Sequence, residues 1–116
     1  MPVVYVVSED WALRANVRAE LRERGIEALG METADDAGAA LAANEMPDAM
    51  VLDAGARAAR ERAIRQLAER VPTIVVASRT EAAEMPKGAK ILYRPARVGE
   101  IVAAVLEQLR GGGGSE

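Results

Sequence analysis

The chain has no cysteine and no histidine among its 116 residues. Without cysteine there is no disulfide framework, no thiolate metal centre and no thiol nucleophile. Without histidine, the commonest general base and the commonest zinc ligand are missing together, so a Ser-His-Asp triad and a histidine-based zinc site are both excluded. Phenylalanine is absent too, and Tyr5, Trp11 and Tyr93 are the only aromatics. The core must therefore be built from Val, Leu, Ile, Met and Ala. No apolar run approaches the roughly 18–20 residues of a membrane span. The start of the chain lacks the basic region of a secretory signal, so the expected location is the cytoplasm, without a membrane partner. A net charge of −3 provides no bulk attraction for nucleic acid. Only carboxylates, Lys, Arg, Ser, Thr and Tyr remain for chemistry.

What is present alternates between two kinds of segment. Val3–Val7, Ala49–Leu52, Thr73–Ala77 and Lys90–Tyr93 are short apolar runs bounded by Pro, Gly, Asp or Ser. Runs of that length without a helical period predict strands buried on both faces of a parallel sheet. Gly25–Gly30 is a weaker strand nearer an edge. Between the strands the period changes to that of a helix. Leu13, Val17 and Leu21 recur at i, i+4 and i+8, with Asp10 as N-cap and Gly25 just past the C-terminus. Asp35 or Asp36 caps a second, Ala-rich helix running to about Asn44. Ile64, Leu67, Ala68 and Val71 mark a third, stopped by Pro72, and Val98 to Leu109 a fourth. Residues 78–88 hold at most a short helix. This alternation predicts an open parallel sheet of five strands in the flavodoxin-like order 2-1-3-4-5, sandwiched between two layers of helices. Residues 1–110 form one domain, and 111–116 a flexible Gly-rich tail.

In such sheets ligands bind at the carboxyl ends of the strands. Strand one ends in Ser8-Glu9-Asp10 and strand three in Asp53, so Glu9 and Asp53 are expected to converge there with Asp10 close by. Clustered carboxylates can hold Mg²⁺, and an Asp can also act as a nucleophile toward phosphorus.

The ordered motifs, Val6-Val7-Ser8-Glu9-Asp10, Gly25-Ile26-Glu27, Pro47 through Asp53 and Arg94-Pro95, resemble the receiver domain of bacterial response regulators, the CheY-like family. The resemblance spans residues 2 to about 110. It implies phosphorelay signalling in a two-component system, with Asp53 as phosphoacceptor. It further implies Mg²⁺ on Glu9, Asp10, Asp53 and the main chain of Gly55, a sensor histidine kinase or other signalling protein as partner, and no enzyme activity of its own. A homodimer through strand five and the last helix would need an apolar patch among Ile91, Tyr93, Val98 and Val102.

The sequence departs from the pattern at the chemistry-bearing positions. Ser8 replaces the first of two acids, and Glu9 stands at the second. The Thr/Ser position falls on Ala77, with Ser78 one residue late. Arg94 replaces Lys, and the switch aromatic position is Ile91. These departures predict an atypical receiver with impaired or absent phosphorylation, in which Arg94 forms a bidentate ion pair with Asp53. The alternatives are a phosphorylatable receiver that uses Asp53 with Mg²⁺, and a small flavin- or nucleotide-binding module on the same fold. A missing Gly-rich phosphate loop and the scarcity of aromatics oppose the latter. Trp11 stands where it could cover the site or anchor a partner. Arg57, Arg60, Arg62, Arg65 and Arg70, interspersed with Glu61 and Glu69, read as a solvated face.

Overall fold

In the computed structural model, which describes residues 1–43 and 46–114, each strand is four or five residues long. They are β1 (Val3–Val7), β2 (Glu27–Met31), β3 (Ala49–Asp53), β4 (Thr73–Ala77) and β5 (Lys90–Tyr93). All pairings are parallel and the order is β2-β1-β3-β4-β5, as the alternation predicts. The helices are α1 (Trp11–Glu23), α2 (Ala34–Ala43), α3 (Arg62–Arg70), α4 (Arg79–Ala82) and α5 (Val98–Gly114), with a 3₁₀ turn at Arg57–Arg60. Of the expected Gly-rich tail, 111–114 lie within the bounds of α5, and Ser115 and Glu116 lie outside the described residues, as does the Asn44 expected to end α2.

Strand residues alternate between two cores, because successive side chains point to opposite faces. Tyr5, Val7, Met50, Leu52 and Val75 face α2 and α3. Val4, Val6, Val51, Ile74 and Val76 face α1 and α5, meeting Val17, Leu21, Ile101 and Val105. Every residue of β4 is buried, which is why its sequence, Thr-Ile-Val-Val-Ala, shows no polar alternation.

Three boundaries differ from the sequence reading. β2 starts at Glu27 rather than Gly25, because Gly25 ends α1 with φ of +80°, a conformation that favours glycine. Thr33, not an Asp, caps α2: its Oγ1 accepts from Asp36 N–H, while Asp36 Oδ2 accepts from the N–H groups of Glu32 and Thr33. Those backbone donors hold the Asp36 carboxyl below its usual range. The arginine-rich segment is divided, since Glu61 is extended between the 3₁₀ turn and α3.

Candidate functional site

β1 and β3 lie side by side, so Ser8, just past β1, and Asp53, at the end of β3, meet at the carboxyl edge of the sheet. β4 separates β3 from β5, yet the long Arg94 side chain crosses it. Arg94 Nη2 donates to Asp53 Oδ1 at 2.5 Å. The same nitrogen stands 3.3 Å from Glu81 Oε1, and Nη1 lies 3.4 Å from the Val76 carbonyl oxygen. Gly55 N–H donates to Asp53 Oδ1 at 3.0 Å, and the Ser8 hydroxyl to Oδ2 at 2.8 Å. The Asp53 side chain is only 15% exposed, so these contacts count for more than they would in open water. Gly55 leaves the space the guanidinium needs: a Cβ there would lie 2.9 Å from Arg94 Nη2. The Arg94–Pro95 peptide bond is cis.

The expected Asp53–Arg94 pair is present, but it is not bidentate. A single nitrogen bridges two carboxylates because Glu81 enters from α4. The sequence carried a signal for this. Ser78-x-x-Glu81 is a capping box: Ser78 Oγ accepts from Glu81 N–H, and Glu81 Oε1 accepts from Ser78 N–H. The Ser78 backbone N–H, and after it the Arg94 charge, hold the Glu81 carboxyl below its usual range. Of the two residues proposed for the Thr/Ser position, Ala77 is fully buried in the α2–α3 core and Ser78 has its hydroxyl engaged in the cap.

Asp10 and Glu9 are each held by main-chain donors. Asp10 Oδ1 accepts from the N–H groups of Ala12 and Leu13 as the N-cap of α1. Glu9 Oε2 accepts from Arg57 N–H. It lines a cleft of about 600 Å³ with Glu32, Asp35 and Glu61, while Asp53, Asp10 and Arg94 line a separate one of about 490 Å³ with Leu13 and Pro95. Past the strand end, the backbone donor at Arg57 directs the Glu9 side chain.

No family model and no curated protein matches the chain. Solved structures do. A Francisella response regulator receiver domain superposes with a TM-score of 0.77 at 18% identity, covering 97% of this chain and 99% of the other. A response regulator receiver protein from Burkholderia phymatum gives 0.76 at 23%, covering 95% and 96%. The beryllofluoride-activated NtrC receiver domain gives 0.72 at 21%, covering 99% and 98%. The fold is that of a response-regulator receiver domain.

On this receiver fold the divalent cation implied by the resemblance does not match the donor set. Among the described residues no group of three or more acids is placed to hold a metal ion. A hydroxyl and a guanidinium stand on the two oxygens of Asp53, Asp10 faces a helix terminus, and Gly55 offers Asp53 its N–H. Of the four apolar residues considered for a dimer patch, Val102 is buried, Ile91 and Val98 are partly buried, and only Tyr93 is exposed, with the Arg79 guanidinium 5.2 Å from its ring centre. Trp11 is 70% exposed.

Proposed function

We propose that this chain is an atypical receiver that signals through protein–protein contact, with Arg94 on Asp53 in place of a phosphoryl group. The observation that carries the reading is the 2.5 Å contact between Arg94 Nη2 and Asp53 Oδ1. Attack on phosphorus needs a carboxylate oxygen free to approach in line and a cation to neutralise the transferring group. Here both oxygens already accept hydrogen bonds, and the cation present is a fixed guanidinium. Arg94 also joins β5 to α4 through Glu81, so the ends of β3 and β5 and the start of α4 form one arrangement that a partner reads. A sensor kinase or another signalling protein is the partner class.

The test is intact mass after incubation with acetyl phosphate and Mg²⁺. No stoichiometric gain is expected from the natural chain. The double variant Ser8→Asp/Arg94→Lys, which restores an acid and a compact ammonium, is expected to show a Mg²⁺-dependent gain. A gain in the natural chain that disappears in Asp53→Asn would overturn the reading and establish a phosphorylatable receiver.

A further inference from the structure

The region of α1 that faces β2 carries Arg14, Arg18 and Arg22, one turn apart on the same side of the helix. Each guanidinium donates to a main-chain carbonyl. Arg14 Nη1 donates to Ser8 O at 2.7 Å, Arg18 Nε to Ala28 O at 3.1 Å and Arg22 Nη2 to Ala28 O at 3.5 Å. A carbonyl satisfies a donor but leaves the positive charge uncompensated. Among the described residues Glu32, 3.8 Å from Arg14, is the one carboxylate in an ion pair with the row, and the charge of Arg14 also acts on the Asp36 carboxyl. Burial, and then the charges of Arg22 and Arg14, push the Arg18 guanidinium pKa down. β2 is shaped to accept the row: a Cβ on Gly30 would lie 2.9 Å from Arg18 Cδ and 3.0 Å from Arg14 Cδ. The side chains are thus held in place before any partner arrives, which lowers the entropy lost on binding.

We propose that Arg14, Arg18 and Arg22 form a docking site for a short acidic segment of a partner protein. The Arg14, Arg18 and Arg22 positions rise by about 6 Å from one to the next along the helix, as Glu residues four apart do on an acidic helix, and guanidinium N–H groups suit carboxylate oxygens. Charge at the ends of the row limits the length of the occupant. Glu27 opens β2 beside Ala28, and Glu32 follows β2 beside Arg14. A long polyanion such as nucleic acid would meet negative charge at both ends, on a chain whose net charge is −3. The row includes neither Asp53 nor Arg94, although Ser8 touches both sites, and each reading has its own test.

The test titrates the isotope-labelled full chain with an Ala-based helical peptide carrying three Glu residues four positions apart, and with its Gln counterpart. Expected are amide shifts confined to 14–22 and 27–32, a dissociation constant below about 1 mM at low salt, and no shifts with the Gln peptide. The double variant Arg18→Gln/Arg22→Gln is expected to bind about tenfold more weakly, and the control Arg57→Gln/Arg60→Gln to bind unchanged. Mapping on the natural chain decides the matter even if the double variant fails to fold. No shifts at 1 mM peptide, shifts centred on 57–70, or tighter binding of a single-stranded DNA oligomer would each overturn the proposal.

Discussion

Asp53 accepts from Gly55 and Arg94 on one oxygen and from Ser8 on the other. The pairing with Arg94 was legible in the sequence because strand order alone brings the ends of β3 and β5 within reach of a long side chain. The destination of Glu9 was not legible. Past the last ladder bond its direction depends on a donor at Arg57, far along the chain. Tyr5 poses the opposite problem to Asp53. It is fully buried, its hydroxyl has no partner among the described residues, and burial pushes its pKa up. An unsatisfied buried hydroxyl is destabilising, so Tyr5→Phe should raise unfolding stability by about 1 kcal/mol. Urea denaturation measures this, and a comparable loss would mean that the hydroxyl has a partner after all.

Among the elements, the core strands were readable because continuous apolar runs admit few other placements, and β1, β4 and β5 have the predicted bounds. The start of β2 was misread because Gly25-Ile26 is apolar enough to extend a strand, while the left-handed turn at Gly25 requires the chain to leave α1 first. α4 has only four residues, and its capping box is a large part of what defines it. Ser78→Ala should therefore speed amide exchange at Glu81 and Ala82, the bonded amides of this turn, by about fivefold, the equivalent of about 1 kcal/mol for a lost cap. The same helix should respond to acid. Because the Glu81 carboxyl lies below its usual range, its contribution is full above the ordinary carboxylate pKa and is lost as pH falls through the lowered value. Exchange in α4 followed from neutral to acidic pH checks this. A rate independent of pH, once intrinsic chemistry is removed, would refute it.

The layered plan of the molecule was the most legible feature, because strands buried on both faces leave short continuous apolar runs and their covering helices a period of 3.6. Charge placement was harder to read. The sequence shows acids and arginines interspersed, but folding sorts Glu9, Glu32, Asp35 and Glu61 around one cleft and aligns three arginines beside β2. The scarcity of aromatics has an optical consequence. The single indole, Trp11, sits at the start of α1 next to Asp10 and is already largely in water when the chain is folded. Its emission maximum should shift little when the protein is denatured, whereas a partner seated on that end of the sheet should move it to shorter wavelength and shield it from a soluble quencher. Steady-state fluorescence would then report encounters while remaining nearly blind to unfolding.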